Sequence, residues 1–344
     1  MARLDDICAI NMGQSPDSAS YNENGEGMPF FQGNADFGKI HPKVRVWCSA
    51  PTKIAHAGDV LISVRAPIGA LNIADRECCI GRGLAALTVN EGLCVKDYLW
   101  YAIASKVDEL NSKGTGSTFK AISKGVLVET EIPLPDLNEQ KKVAEQLTKV
   151  DGLIAARKEQ LAKLDQLVKS RFIELFGAIN DDVPLSYYIA SLNAGKSLAG
   201  EEECPNKVLK TGAATYDYFD ATQVKNLPLD YEPQEDHRVS AGDVIISRMN
   251  TAELVGAAAY VWDVPERVYL PDRLWRAEIK DTANAIFVWQ VLIQSSTKES
   301  IRRIASGTSG SMKNISKLGL LGIRVVKAPI SLQEQFAAFV EQTD

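Results

Sequence analysis

Three groups of residues have side chains and spacings that could support catalysis or metal binding. Segment 193–197, NAGKS, is similar to the end of a phosphate-binding loop, but Ala190 stands where the first glycine belongs. Asp272, Glu278 and Lys280 have the residue types of a metal-dependent nuclease, yet only six positions separate the two acids, which makes the usual two-strand arrangement difficult. The sequence therefore predicts no catalytic residues, and an autonomous nuclease using this acid-acid-lysine set remains an alternative.

The cysteines and histidines do not have the spacing of a metal site. None of the six cysteines forms a CxxC pair or lies at zinc-finger distance from the three histidines. Cys78 and Cys79 are adjacent, a poor geometry for a disulfide. We expect reduced thiols in a cytoplasmic protein, with no metal and no cofactor. No apolar stretch is long enough to cross a bilayer and the N-terminus lacks an export signal, so we expect no membrane partner.

The charge distribution limits how this chain could bind nucleic acid. Its net charge is −6, with −3 in residues 1–137, +2 in 138–177 and −5 in 178–344. Attraction to phosphate must then come from local clusters. Arginine can pair with guanine and asparagine with adenine, whereas lysine suits phosphate. The candidate DNA-binding residues are Lys39, Lys43, Arg45, Arg65, Arg82, Lys120, Lys124, Lys210, Arg248, Asn250, Arg273, Arg276, Arg302, Arg303, Lys313 and Lys317.

Internal repetition shows how these residues are organised. GDVLIS at 58–63 recurs as GDVIIS at 242–247, and Trp100 corresponds to Trp289. GT and KAISK at 114–124 recur as GT and KNISK at 307–317, and NEQ at 138–140 is echoed by QEQ at 333–335. Because these landmarks keep their order, the chain contains a duplicated domain. The glycine-rich loops GTGSTFKAIS and GTSGSMKNIS could contact phosphate or serve packing, and packing is favoured.

Each copy has the pattern of a mixed α/β unit. A Gly-Asp turn opens a short β-rich run, and helical apolar spacing follows at Val95 to Asn111 and at Ala283 to Ala305. A short apolar strand then ends in proline, at IPLP in 132–135 and VVKAP in 325–329. The predicted class is α/β (α+β), with two similar domains.

A long helix follows the first copy, from about Asn138 to Phe176. Its apolar residues alternate in steps of four and three, with Arg157 and Arg171 at the remaining positions, as in a coiled coil. The predicted seam is Val143, Leu147, Val150, Ile154, Leu161, Leu164, Val168 and Leu175. The predicted parts are recognition domain 1 at 1–137, the spacer helix at 138–177, recognition domain 2 at 178–331 and the start of a second helix at 332–344.

The whole chain resembles the DNA-specificity (S) subunits of type I restriction-modification systems. The resemblance rests on LDDICAINMGQSPDSASYNENGEGMPFFQG, on GDVLISVRAPIGALNIA, on GTGSTFKAISKG followed by IPLPDLNEQKKVAEQL, and on the return of that last pattern near the C-terminus. It implies a non-catalytic, sequence-specific binder of double-stranded DNA. Each recognition domain would contact one half of a bipartite site. Two antiparallel helices would set the spacer and dock methyltransferase subunits, while the methyltransferase and ATP-dependent restriction subunits carry the catalysis.

The second helix departs from the family pattern, because it stops at Asp344 after Phe336, Phe339 and Val340. We therefore expect a truncated helix and an exposed stripe on the first one. A methyltransferase subunit could cover this stripe, a second copy of the chain could do so through its long helix, or the chain could be a truncated variant. A decoy or regulatory subunit that binds methyltransferase without recognising DNA is the second alternative function.

Overall fold

The computed structural model describes residues 1–116, 120–309 and 312–343, with only the backbone at Thr308 and Ser309. Parts of both glycine-rich loops, 117–119 and 310–311, and the predicted end of the second helix at Asp344 lie outside the described residues. The chain divides into two compact units, unit 1 at Met1–Lys158 and unit 2 at Glu159–Asp344. This division falls inside the long helix, so the narrower boundaries of the recognition domains remain predictions.

Unit 1 combines short strands with helices. Its strands are β1 (Ala2–Arg3), β2 (Cys8–Met12), β3 (Tyr21–Asn22), β4 (Met28–Phe31), β5 (Val46–Cys48), β6 (Ile54–Ala55), β7 (Val60–Ser63), β8 (Leu71–Ile73), β9 (Cys78–Ile80), β10 (Leu84–Val89) and β11 (Glu131–Ile132). Its helices before the long one are α1 (Leu4–Ile7), α2 (Lys96–Ala104), α3 (Val107–Ser112) and α4 (Lys124–Val128).

The main sheet of unit 1 is built around β7, whose residues are all buried. β7 lies between β10 and β8 in a sheet of order β2-β10-β7-β8, and a second sheet has the order β3-β5-β4-β9-β6. Val60 and Ile62 pack on the core that contains the helices, while Leu61 packs on the opposite face with residues of β9. This two-sided burial explains why GDVLIS is almost continuously apolar. β1 pairs with β11, so the first and last strands of the unit are neighbours.

The long helix is α5 (Leu137–Phe176), within a residue of the predicted span. The Asp136 carboxylate accepts hydrogen bonds from the Asn138 and Glu139 backbone N–H groups, at 2.9 and 3.1 Å, and so caps its N-terminus.

Unit 2 repeats the elements of unit 1. Its strands are β12 (Asp182–Pro184), β13 (Ile189–Asn193), β14 (Lys207–Leu209), β15 (Val224–Asn226), β16 (Val244–Ser247), β17 (Met249–Asn250), β18 (Ala258–Tyr260), β19 (Val268–Tyr269), β20 (Leu274–Ile279), β21 (Ser306–Ser309), β22 (Met312–Asn314) and β23 (Arg324–Val326). Its further helices are α6 (Ala285–Ile293), α7 (Ser295–Ile304), α8 (Lys317–Leu321) and α9 (Ile330–Thr343).

The main sheet of unit 2 has the order β13-β20-β16-β18, which is the topology of the main sheet of unit 1. Val244 and Ile246 of β16 pack on the helical core and Ile245 packs on the opposite face, as Val60, Ile62 and Leu61 do in unit 1. β12 pairs with β23, so this unit also begins and ends on neighbouring strands. The predicted fold class, two similar α/β units joined along the chain by a long helix, is confirmed.

A buried glutamine makes the same connection in each unit. The Gln140 side chain accepts a hydrogen bond from Val95 N at 2.8 Å and donates one to Pro135 O at 2.8 Å. The Gln333 side chain accepts from Asn284 N at 3.0 Å and donates to Ala328 O at 2.8 Å. The structural match of Gln140 is therefore Gln333 and not Gln335, which the NEQ and QEQ echo would pair with it.

The helical segments after β10 and β20 are each broken, whereas their periodicity predicts one helix. In unit 2 the break is at Gln294, whose extended backbone (φ −60°, ψ 142°) ends α6 and begins α7. Three residues with low helix propensity, Ser295, Ser296 and Thr297, follow this break.

Within the described part of the chain, no helix is both long and apolar enough to cross a membrane.

Candidate nucleic-acid interface

A cleft of about 560 Å³ opens on unit 1 beside the end of β4. Five chain segments line it: Glu23 after β3, the end of β4 with the turn that follows it, the start of β5 with the residue before it, the residues after β7, and Gly83 before β10. The polar side chains that line it belong to Glu23, Gln32, Asn34, Asp36, Arg45 and Arg65. Two of the predicted DNA-binding residues, Arg45 and Arg65, thus lie in one cleft.

Asp36 fixes the position of Arg45 in this cleft. Asp36 is only 7% exposed, and its Oδ2 accepts a hydrogen bond from Gln32 N at 2.7 Å. Its Oδ1 accepts from Arg45 Nε at 3.1 Å and from Arg45 Nη2. The Arg45 side chain is 59% exposed, so a guanidinium open to solvent is held by a carboxylate that is not. Such a pairing orients an arginine before any ligand arrives.

The glycine-rich loop lies against the segment that follows β7. Ile122 N donates to Val64 O at 2.9 Å, and Ala66 N donates to Lys120 O at 3.0 Å. These bonds bring Lys120 beside Arg65. Arg82 directly precedes Gly83, which lines the cleft. Arg45 and Arg65 therefore line the cleft, Lys120 is bonded through its backbone to the segment that carries Arg65, and Arg82 is the sequence neighbour of a lining residue.

The corresponding segments of unit 2 meet in the same way. Ile315 N donates to Arg248 O at 3.1 Å, and Asn250 is paired with Lys313 across β17 and β22. The Arg248 guanidinium lies over the Trp275 ring, 5.5 Å from its centroid. Its Nε donates to Asn314 Oδ1 and its Nη1 to the Asp272 carbonyl, both at 3.5 Å.

Comparison with known proteins gives a family match for the first part of the chain. Residues 1–166 match the family model of the type I restriction modification DNA specificity domain. The resemblance that the sequence predicts is confirmed.

The relatives are themselves specificity subunits. The chain is 42% identical over 160 residues, 46% of its length, to a putative type I restriction enzyme MjaX specificity subunit of Methanocaldococcus jannaschii. It is 23% identical over 256 residues, 68% of its length, to the type I restriction enzyme EcoKI specificity subunit of Escherichia coli. The aligned regions span 38% and 55% of these two relatives.

A solved structure extends the similarity of fold to almost the whole chain. The crystal structure of a type I restriction-modification system S subunit from M. genitalium matches 99% of this chain and 88% of its own, with a TM-score of 0.62 and 17% identity. At this identity the match establishes a shared fold.

Other candidate residues lie away from the unit 1 cleft or have contacts inside their unit. Lys39 lies with Trp100 and Tyr101 in another depression of unit 1. In unit 2, Arg276 donates to the carbonyls of Arg238 and Asp236, both at 2.7 Å, which holds β20 to the preceding turn.

Several cations on the later segments of unit 2 also bond within that unit. Arg302 donates to Glu253 O at 3.3 Å, Arg303 pairs with Glu299 at 3.7 Å, and Lys313 donates to Gly307 O at 2.7 Å. The remaining candidates, Lys43, Lys124, Lys210, Arg273 and Lys317, are exposed. Which of these residues contact DNA stays a prediction.

The nuclease-like residues form separate hydrogen bonds. Glu278 accepts from Ser191 Oγ at 2.5 Å, Lys280 donates to Ser186 O at 2.7 Å, and Asp272 accepts from Ser197 Oγ. Gly195 of the NAGKS segment packs so closely on Leu270 that a Cβ would lie 2.0 Å from the Leu270 carbonyl oxygen. The described residues contain no group of three or more histidine, cysteine or acidic side chains that could hold a metal ion.

The cysteines are buried. All six are free thiols, and burial raises the pKa of Cys8 and Cys78 to about 12 and that of Cys94 to about 11. Thiols with such pKa values are scarcely ionised at neutral pH, so they are weak nucleophiles.

The neutral and acidic residues of the unit 1 cleft, namely Glu23, Gln32, Asn34 and Asp36, are not among the residues predicted from the sequence. A signal was available in QGNAD, a polar run directly after the apolar MPFF of β4. That run predicts a turn, but not the pairing of Asp36 with Arg45, nine residues further on.

Proposed function

We propose that this chain is the non-catalytic DNA-specificity subunit of a type I restriction-modification complex. Each recognition unit would contact one half of a bipartite site in double-stranded DNA, and α5 would set the spacer between the halves. Methyltransferase and restriction subunits would supply adenine methylation and ATP-dependent cleavage. The complex would act in the cytoplasm, on the DNA of its host.

The observation that carries this proposal is the repetition of one fold with different surface residues. Both main sheets have the same strand order, and both place a glycine-rich loop against the segment after the central strand. Yet the two residues that follow the last serine of the central strand differ. They are Val64 and Arg65 in unit 1, and Arg248 and Met249 in unit 2. Two similar scaffolds with different side chains are suited to two different half-sites.

The docking of methyltransferase subunits is supported by apolar side chains on α5. Leu147, Val150, Ile154 and Leu161 are 38%, 49%, 48% and 62% exposed. They continue the predicted seam, and a stripe of this kind is suited to a partner helix. A second copy of the chain is the alternative partner for it.

The test is to co-express the chain with its candidate methyltransferase subunit and to sequence host DNA for methylated adenines. We expect a bipartite motif with a fixed spacer, and we expect one half alone to change when residues 1–137 are exchanged for those of another specificity subunit. A stable complex that methylates no defined motif would contradict the proposal and favour the decoy function. Failure to form a complex would contradict the proposed partnership.

A further inference from the structure

The cleft of unit 1 has a charge balance that suits a base and not a phosphate. Its lining includes two cations, Arg45 and Arg65, and two acids, Glu23 and Asp36. A phosphate in this cleft would be repelled by both carboxylates. A neutral base edge meets no such repulsion, and it can use donors and acceptors together. Gln32 and Asn34, which line the same cleft, add both kinds of group.

The contacts of Arg45 fix which of its edges can meet a ligand. Asp36 accepts from Nε and Nη2 of Arg45, along one side of the planar guanidinium. The Nη1 and Nη2 groups at the end of the side chain form a second fork, turned away from the bonds of Nε. A fork of two parallel N–H donors matches the O6 and N7 acceptors of guanine in the major groove.

We propose that Arg45 recognises a guanine in the half-site of unit 1, and that Asp36 is the positioning residue that orients it. This inference rests on the proposed function, since it assumes that unit 1 contacts DNA bases. The anchoring of Asp36 by Gln32 N and Gly33 N, at 2.7 and 3.4 Å, ties the direction of Arg45 to the turn after β4.

Unit 2 lacks this device at the matching place. The short turn after β4 ends at Asp36, and the turn after β14 has Ala213, which is fully buried, as its third residue. Both residues accept a backbone hydrogen bond from the returning chain, Asp36 from Lys43 N at 2.8 Å and Ala213 from Asp220 N at 2.9 Å. The Asp-oriented guanine contact is therefore confined to one half-site.

The experiment compares the methylated motifs of variants in the co-expressed complex. Arg45→Lys keeps the charge but removes the fork, so we expect preference for guanine at one position of one half-site to fall by roughly tenfold, with the other half-site unchanged. Asp36→Asn should weaken preference at the same position, while thermal unfolding of the purified complex checks that unit 1 is folded. The matched control is Arg76→Lys, since Arg76 is 58% exposed and also pairs with an acid, Asp75, at 2.8 Å, but lies outside the cleft.

The outcomes separate the two proposals. A wild-type complex that methylates no motif would overturn the proposed function and this inference with it. A wild-type motif that Arg45→Lys leaves unchanged would overturn this inference alone, as would uniformly weaker methylation of every site, which indicates a phosphate contact. The same relaxation in Arg76→Lys would also overturn it.

Discussion

Aspartate side chains close the Gly-Asp turns that precede the central strands of both units. Asp59 Oδ2 accepts from His56 N at 2.8 Å, and Asp243 Oδ2 accepts from Ser240 N at 2.9 Å. Glycines before them, Gly58 and Gly242, have φ values of +93° and +94°, which explains the repeated Gly-Asp pair. Burial raises the pKa of Asp243, and the hydrogen bond from Ser240 N and the Arg276 guanidinium, 3.8 Å away, oppose this without cancelling it.

The raised pKa of Asp243 predicts a pH dependence of stability. At pH values between the pKa of Asp243 in the unfolded state and its pKa in the folded state, the folded state binds more protons. The stabilising contribution of Asp243 is therefore greatest below the unfolded-state pKa and is lost as the pH rises through the folded-state pKa. Asp243→Asn keeps an acceptor for Ser240 N but cannot titrate. We expect its free energy of unfolding in urea to fall less than that of wild type as pH rises from about 4 to 7.

A surface carboxylate provides the control for this measurement. Asp230→Asn removes one charge from an exposed position of the same unit, and its pH profile should run parallel to that of wild type. If the free energies of unfolding of Asp243→Asn and wild type changed in parallel with pH, the raised pKa of Asp243 would be contradicted.

Residue types could be chosen from the sequence, but their partners could not. Arg45 and Arg65 are candidates because arginine suits base contacts, and both lie in the cleft. Asp36 escapes sequence reasoning, since its contact with Arg45 spans an irregular loop in which no periodicity places side chains on a common face. Arg276 is a candidate by residue type, but its partners lie inside the unit. Nothing in its local sequence predicts that two backbone carbonyls accept its hydrogen bonds.

Among the elements, α5 was the most predictable, because its pattern is local and long. Its packing is less regular than the predicted seam. Phe172 and Phe176, which the seam omits, are buried against Phe336 of α9, with ring centroids 5.5 and 5.6 Å apart. Arg171, predicted to take a seam position, lies over the Phe339 ring at 5.9 Å. Aromatic packing between α5 and α9 within unit 2 thus replaces part of the heptad pattern.

The exposed seam residues of α5 predict a partner-dependent phenotype. Leu161→Lys places a charge on the α5 surface where we propose that a helix of the methyltransferase subunit docks. We therefore expect co-purification of that subunit to fall at least tenfold. Since Leu161 is already 62% exposed, the melting temperature of the variant chain, measured without the partner, should change little. Leu167→Lys, on a leucine that is 48% exposed and outside the seam, is the control. Equal co-purification of wild type and Leu161→Lys would refute docking at this position.

At the scale of the molecule, a net charge of −6 means that the proposed DNA binding must rely on local cations for its electrostatic share. Lys120 and Lys313 are the matched candidates for phosphate contacts in the two units. Replacing either by alanine should weaken binding to all sequences alike and lower the slope of log K against log salt by about 1.

Salt titration of DNA binding by the purified complex measures this slope. The double variant should lose about 2, with the methylated motif unchanged. An altered motif in either variant would instead assign that lysine to base recognition. Lys53→Ala, on an exposed lysine before β6, provides a comparison outside the two loops.

The first and last strands of each unit are neighbours, because β1 pairs with β11 and β12 pairs with β23. A module with adjacent ends can be exchanged as one piece, since the new chain must reconnect at only one place. Genetic recombination between related genes, with one crossover near the start and one in the α5 segment, would bring in a foreign unit whose closing strands are already matched to each other. Under the proposed function, exchange of a whole unit would replace every contact residue of one half-site in a single step.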